Sequence, residues 1–479
     1  MQGDSRAGTL RITLLITLRI IVHAMRCGPT RSGTRPPRGV SPAAYGRVML
    51  TCVAVSGYRS LRDVVVPLHG LDVVVGANGS GKSSLYRALR LLAGCGRGDV
   101  IGTLAREGGL QSALWAGPAT LGGARKEGYA VQGTTRKGPV SLLLGFASDE
   151  LGYLVDLGLP QQASGVDAAP SAFLRDPEIK REIVWAGPVM RPSTVLVRRR
   201  WSVVETRSTG SEAGWDDAWD ASDDAWESDP EPARRGGGRS GWTELSRSLR
   251  PWESMLTELA DPERAPELIA VRRLIRGWRF YDGFRADADA PARRSQVGTR
   301  TPVLADDGAD LAAALQTIRE NGRSQLDAAV ADAFDGARLD IAVTDGRFDV
   351  QLHQPGMLRP LSGAELSDGT LRYLLWVAAL LTADPPPFMV LNEPETSLHP
   401  DLLGPLARLI RAAAERSQVM VVSHSEALIR ELDVTDDDGA PVGLGSPARS
   451  LTLAKDLGET VIEGQGLLTT PPWSWGSRR

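Results

Sequence analysis

An α/β fold, with a parallel sheet assembled from distant stretches of chain, an antiparallel β subdomain and an inserted helical region, follows from three observations. The β-branched run Leu71 to Val75 leads through Gly76-Ala77-Asn78-Gly79-Ser80-Gly81-Lys82-Ser83-Ser84 into a helical pattern carried by Leu85, Leu89 and Leu92. Far downstream, the apolar run Phe388 to Leu391 ends in Asn392-Glu393, and a further one, Val419 to Val422, ends in Ser423-His424. Between them, alternating stretches give way to longer ones of helical period, as expected of a sheet split by an insertion.

In chain order, residues 1–48 stand outside this fold. Their apolar part, Leu10 to Ala24, is interrupted by Arg11 and Arg19, which spoils a secretory core, and the stretch to Arg38 is rich in Arg, Gly and Pro. Disorder is expected before Met49, and a start codon assigned too far upstream explains the segment better than a transit-like helix does. These residues carry eight Arg against Asp4 alone, leaving 47 basic and 57 acidic residues, a net −10, for the rest. That balance excludes a globally basic nucleic-acid binder, so any DNA contact must come from a local patch. Cys27, Cys52 and Cys95 show no metal spacing and read as free thiols of a reducing compartment. No stretch reaches the ~18 apolar residues of a membrane helix. A cytoplasmic protein with no membrane partner is expected.

Alternation over Leu50 to Ser56 and Arg62 to His69 predicts two antiparallel strands around Tyr58-Arg59-Ser60-Leu61. The glycine-rich stretch follows. Gly76, Gly79 and Gly81 permit backbone conformations that a side chain obstructs, so successive N–H groups turn inward on one anion at the positive end of the next helix. Lys82 adds a mobile charge for the β- and γ-phosphates, and the Ser83 hydroxyl a ligand for magnesium. Residues Gly76 to Ser84 are therefore a phosphate-binding loop. The preceding hairpin would cover base and ribose with Arg59 close by, an ordinary turn arginine being the alternative.

Residues 97–127 read as a glycine-rich loop. Gln111 is the nearest candidate for a glutamine that senses the γ-phosphate, although a plain surface glutamine is the simpler reading. Strand-like runs at 128–133, 140–147, 151–159, 183–185 and 195–206 predict an antiparallel sheet beside the nucleotide and complete an N-terminal half, 49–206. Residues 207–241 are acidic, with Trp215, Trp219 and Trp226 spaced along them, then Pro- and Arg/Gly-rich; a disordered insertion is expected, with a partner-docking helix as the alternative. A helical central region, 242–335, follows, with patterns at Glu253 to Leu259, Pro266 to Trp278, Leu311 to Ile318 and Gln325 to Phe334. Arg198-Arg199-Arg200 and Arg272, Arg273, Arg276 and Arg279 are the local basic stretches open to DNA, with solvated faces and strand edges an equal alternative.

The C-terminal half, 336–465, opens on two short strands around Asp345-Gly346. Leu366-Ser367-Asp368-Gly369-Thr370 then precedes an apolar helix, Tyr373 to Thr382; serine, glycine and helix N-terminus together make a second anion site. Glu393 is the candidate catalytic base, a carboxylate able to orient or deprotonate the water that attacks the γ-phosphate. Asn392 stands where aspartate is usual: it keeps an acceptor oxygen for a magnesium-bound water and loses the charge, which predicts weaker metal binding. His424, ending a strand expected beside that of Glu393, is placed to touch the γ-phosphate. The tail, 466–479, reads as disorder.

Together, Asn78-Gly-Ser-Gly-Lys-Ser83, the Leu-Ser-x-Gly signature at 366–369, the block Leu391 to Glu395 running into Ser397 to Pro400, and Ser423-His424 resemble ABC-type ATPases of the SMC/RecF-like branch. More closely, the chain is similar to the predicted RecF-like ATPases of the AAA group, from Met49 to about Ile462. The resemblance implies a P-loop NTPase of ABC/SMC-head type that uses ATP and Mg2+. It implies a homodimer closed head to head on two ATP molecules, with Ser367 and Gly369 of one copy touching the γ-phosphate held by Lys82 of the other, and Thr396 to His399 at the seam. Glu393, His424 and Lys82 would be catalytic, with His424 as the switch; Gly76 to Ser84 would bind nucleotide; Ser83 and, through water, Asn392 would hold the metal. Action on DNA in repair or genome maintenance is implied too. The rivals are an ATPase regulating a protein partner, for instance in phage defence, and an ATP-binding module with little hydrolysis, for which Asn392 is the discriminating feature. A transporter subunit is disfavoured by the large central insertion.

Overall fold

The alternation after Met49 folds into β1 (Leu50–Tyr58) and β2 (Leu61–Pro67), joined by a tight turn in which Arg59 takes a left-handed φ of 47°. The computed structural model describes residues 48–117, 141–160, 173, 175–207, 241–435, 441–466 and 468–476. The N-terminal segment up to residue 47, the strand expected at 128–133 and the insertion from 208 to 240 lie outside the described residues. Next come β3 (Leu71–Val75), α1 (Lys82–Arg97), α2 (Val100–Arg106) and α3 (Leu110–Ala113). The two short helices occupy a segment expected to be loop. Gly98 ends α1 at φ 76°, and burial of Val100, Leu104, Leu110 and Ala113 supplies the packing that the glycine content conceals.

Strands β4 (Ser141–Ser148), β5 (Leu151–Gly158), β6 (Glu178–Ala186), β7 (Val195–Arg200), β8 (Val203–Arg207) and β9 (Trp242–Ser246) complete an eight-stranded antiparallel sheet ordered β2-β1-β4-β5-β6-β7-β8-β9. The central region is not purely helical. Beside α4 (Met255–Glu258) and α5 (Pro266–Arg276) it holds β10 (Arg279–Asp282) and β11 (Gln296–Val297). The two helices expected after Asp310 are present as the two arms of α6 (Leu311–Ala333), which meet at Gly322, where the backbone leaves helical geometry. A small sheet of β11, β12 (Arg338–Thr344), β13 (Arg347–His353) and β14 (Leu361–Ser362) packs beside α6.

The chain then forms α7 (Asp368–Leu380), β15 (Phe388–Asn392), α8 (Leu403–Ala414), β16 (Gln418–Val422), α9 (Glu426–Glu431), β17 (Arg449–Asp456) and β18 (Glu459–Ile462). Five parallel strands run in the order β10-β15-β16-β3-β17, with β18 antiparallel at the edge. Their side chains alternate between two cores. Val74, Phe388, Val390, Met420 and Val422 pack with α1, α5 and the antiparallel sheet. Leu71, Val73, Met389, Leu391, Val419 and Val421 pack with α6, α7 and α8. Trp278 bridges the two sheets, edge-on to Phe146 at 5.3 Å and to Phe388 at 5.4 Å.

The basic stretch Arg198-Arg199-Arg200 is not an open DNA-facing patch. Arg199 is wholly buried, paired with the equally buried Glu182 at 2.7 Å and donating to the carbonyls of Trp201 and Arg250. Arg198 pairs with Glu205 and lies over the Trp242 ring at 4.0 Å. A buried guanidinium needs several acceptors, and strand alternation turned this one inward to meet them. The tail is also ordered where it is described. A third apolar cluster, including Cys52, Leu143, Leu154, Ile183 and Trp185, faces outward from the antiparallel sheet, and Trp473 and Trp475 of the tail pack against it. Trp473 sits edge-on to Trp185 at 5.6 Å, Trp475 Nε1 donates to Asp63 at 3.0 Å, and Arg181 donates to the Trp475 carbonyl at 2.7 Å. Two tryptophans outweigh the proline and threonine content that read as disorder. Among the described residues no helix is long and apolar enough to cross a membrane.

Candidate active site

The carboxyl ends of the parallel strands lie in register: Asp282 beside Asn392, Asn392 beside Val422, Val422 beside Val74. Polar groups that the strand interiors exclude are thus delivered side by side to one edge.

Between β3 and α1, Gly76, Gly79 and Gly81 have φ of 145°, 79° and 117°, which L side chains rarely adopt. A Cβ on Gly76 would collide with the Leu453 carbonyl and one on Gly81 with Thr460, whereas Gly79 faces open space. The loop is therefore braced from behind and free in front. The brace is β18: Thr460 Oγ1 donates to the Ser80 carbonyl at 2.7 Å and shares a hydrogen bond with Ser60 Oγ at 2.8 Å. Ala77 and Asn78 are exposed, as is Ser83 in the first turn of α1; Ser84 is half-buried. Lys82 Nζ curls back onto the carbonyls of Gly76 at 2.5 Å and Ala77 at 3.2 Å. Ser80 Oγ is buried without a hydrogen-bond partner. An ammonium held only by carbonyls, an unpaired hydroxyl and an open glycine face suit a polyanion.

Glu393, just beyond β15, takes a left-handed φ of 47°, and its N–H bonds the Val422 carbonyl at 2.8 Å. Such a conformation in a residue with a side chain costs about 1–3 kcal/mol and is held only where the surroundings fix it. His424 Nδ1 lies 3.6 Å from Glu393 Oε1 and 3.8 Å from Glu395 Oε1. Glu395 is buried and accepts from Ser423 Oγ at 2.6 Å and from the His424 N–H at 3.3 Å, while its Oε2 has no partner. It locks the end of β16 to the turn after β15. The structure thus brings Glu393 and His424 together, and it adds Glu395, whose role no sequence spacing reveals.

Asn392 Nδ2 donates to Asp282 Oδ1 at 2.9 Å. Asp282 belongs to a four-residue strand with no period to flag it. Gln111 is an exposed residue of α3, a helix that abuts the β1–β2 turn through the Arg59 N–H and the Ala113 carbonyl at 2.7 Å; Arg59 itself pairs with Glu107 at 3.2 Å.

Ser367 is the N-cap of α7: its Oγ accepts from the Thr370 N–H at 3.1 Å. One turn on, Arg372 donates to the Thr396 carbonyl at 2.9 Å, so the signature and the turn 396–399 form one surface, with Ser397 at φ 61°. Arg293 pins the loop leading into α7. Its nearly buried guanidinium donates to the carbonyls of Gly363 at 3.2 Å, Leu366 at 2.7 Å and Ala286 at 2.7 Å, and to Asp368 Oδ1 at 2.6 Å.

The oxygen donors at the strand edge and loop, the Ser83 hydroxyl, the Asn392 amide and the Asp282 and Glu393 carboxylates, are of the hard kind that magnesium prefers. No group of three or more His, Cys, Asp or Glu among the described residues would hold a metal alone.

No curated protein matches the chain. Its fold is similar to that of the SMC head bound to the C-winged helix domain of ScpA (13% identity, 88% of this chain and 98% of that one, TM-score 0.42). It is similar also to the SMC head domain from Thermotoga maritima (13%, 88% and 100%, TM-score 0.36) and to the Smc head domain with an extended coiled coil bound to the C-terminal domain of ScpA from Pyrococcus furiosus (12%, 88% and 97%, TM-score 0.41). The sequence model of one family, described as "AAA domain, putative AbiEii toxin, Type IV TA system", matches residues 73–153 and 209–430, spanning the phosphate loop, the signature, Glu393 and His424. With more than half of its length matched, the chain belongs to that AAA-domain family, and the strand order and loop geometry above are those of a P-loop NTPase fold.

Proposed function

We propose that this protein is an ATP-driven switch: two copies close head to head on two Mg-ATP molecules, and hydrolysis at Glu393 reopens them. The observation that carries the reading is the convergence of the phosphate loop, Glu393 and His424 on one sheet edge, with the 3.6 Å contact between Glu393 and His424 at its centre. On nucleotide binding, Lys82 exchanges the Gly76 and Ala77 carbonyls for the β- and γ-phosphates. Magnesium, when bound, neutralises charge across the phosphate oxygens, with Ser83 and, through water, Asn392 as its protein partners. Glu393 orients the attacking water and accepts its proton, and His424 faces the γ-phosphate, held by Glu395. Ser367 and Gly369, at the exposed start of α7, reach the nucleotide of the second copy. The output we assign is DNA binding, supported by the resemblance and by Arg273 and Arg276, exposed on α5.

Light scattering on the full chain tests the switch. Wild type should dimerise with ATP, Lys82→Ala should stay monomeric, and Glu393→Gln should accumulate as an ATP-bound dimer that releases no phosphate. A Glu393→Gln protein that binds ATP and stays monomeric would refute head-to-head closure; wild type and Glu393→Gln dimerising identically, with neither releasing phosphate, would make it an ATP-binding module without hydrolysis. Duplex DNA should speed phosphate release, with an effect that falls as salt rises. Turnover indifferent to DNA would transfer the output to a protein partner.

A further inference from the structure

Asn392 removes a charge from the place where a phosphate-loop ATPase usually carries one, and the neighbouring strand returns it. Asp282 is the last residue of β10 and lies directly beside Asn392, the last of β15. Only the NH2 of an amide can face a carboxylate, so the 2.9 Å contact fixes the sense of the Asn392 side chain, with its Oδ1 turned away from Asp282 and available as an acceptor. Both residues point to the same side of the sheet. Val390 and Phe280, two positions earlier on each strand, belong to the core that contains α1, and Phe280 packs edge-on against Tyr86 of α1 at 5.9 Å. Asp282 is therefore on the side of the sheet from which Ser83 rises at the start of α1. On that side too, burial first and then the nearby charge of Asp282 push the Tyr86 hydroxyl above its ordinary range. Among the described residues no lysine or arginine forms an ion pair with Asp282, so its charge is not already neutralised.

We propose that Asp282 is the carboxylate of the magnesium site, acting as a unit with Asn392. Asn392 offers the acceptor oxygen for a metal-bound water, and Asp282 carries the negative charge that an aspartate at position 392 would have held. The inference rests on the ATP-binding reading above. Adjacent strands lie about 4.8 Å apart, so the displaced charge acts on the ion through water rather than as a direct ligand. Metal affinity then falls between that of a site with aspartate at 392 and that of an uncharged one.

The test is manganese binding to the full-length, ATP-loaded protein, followed by electron paramagnetic resonance, with the affinity for a fluorescent ATP analogue in EDTA measured in parallel. Asp282→Asn should weaken manganese binding about 10-fold or more, the size typical of a lost outer-shell partner, while metal-free nucleotide affinity stays unchanged. Moving the charge back, in Asp282→Asn combined with Asn392→Asp, should restore it. Asp282→Ser is expected to repeat the loss, which guards against a folding defect peculiar to one variant, as does a melting curve for each. Unchanged manganese affinity in the two folded single variants at Asp282 would overturn the proposal and leave Asp282 as a mere neighbour of Asn392. Failure of wild type to bind nucleotide with or without metal would instead sink the ATP reading itself.

Discussion

Glu395 shows how a buried carboxylate can serve a reaction without touching it. Its Oε1 gathers the Ser423 hydroxyl and the His424 N–H, two donors at the end of β16, and so sets where the exposed imidazole stands relative to Glu393. Truncation to alanine leaves a fully buried hydroxyl without its acceptor, a loss of about 1–3 kcal/mol. Glu395→Ala should therefore lower the unfolding free energy by that amount, read as a lower urea midpoint, and slow phosphate release, while ATP affinity, which rests on the loop at Gly76 to Ser84, holds. Glu395→Gln keeps an acceptor oxygen for the Ser423 hydroxyl and should recover most of the stability. Equal stability for wild type and the alanine variant would mean that Ser423 and His424 are positioned by their strand alone.

At the scale of elements, α7 is the piece whose placement depends on one distant side chain. The loop before it has no regular structure beyond the two residues of β14, and Arg293 supplies what backbone pairing does not, clamping carbonyls on both sides and the Asp368 carboxylate at the helix start. Arg293→Ala should free this loop, abolishing ATP-dependent dimerisation while leaving the ATP affinity of a single copy unchanged; nucleotide titration and light scattering on the same sample separate the two. Dimers that form normally would show that the cap at Ser367 and the Arg372 contact hold α7 by themselves. Local signals explain what was legible before the structure. The strand, glycine loop and helix at 71–97 are contiguous, and β15 and β16 are apolar runs with polar ends, so their types and most of their bounds could be read directly. Strand β10 could not: four residues after a helix carry no period, and its place in the sheet is set by pairing with β15. Asp282 lies 110 residues from Asn392 and Arg293 lies 75 from Asp368, so neither partnership leaves a spacing to recognise. In 97–117 the glycines announced a loop, yet they mark the ends of helices whose stability comes from burial.

For the whole molecule, the main consequence of the topology is that β3 is flanked on both sides by strands from the far end of the chain, β16 and β17, while the phosphate loop it carries is braced by Thr460 of β18. The loop cannot take its described form before residues beyond 450 have arrived, which makes folding dependent on contacts of long sequence separation and correspondingly slow. The same logic extends to the tail, which follows β18 directly and lays Trp473 and Trp475 on the outer face of the antiparallel sheet, over Trp185. That face is turned away from α1, so the tail stabilises the sheet without approaching the nucleotide. Trp473 is half-buried, and losing part of the ~1.5–3 kcal/mol that a large apolar side chain gains on full burial points to a cost of about 1–2 kcal/mol for Trp473→Ala. The expected outcome is a lower denaturation midpoint with unchanged ATP affinity. An unchanged midpoint would show the tail to be a passenger on this face; a fall in ATP affinity alongside stability would show instead that the antiparallel sheet transmits its packing through Trp278 and α1 to the phosphate loop, making the two sheets one cooperative unit.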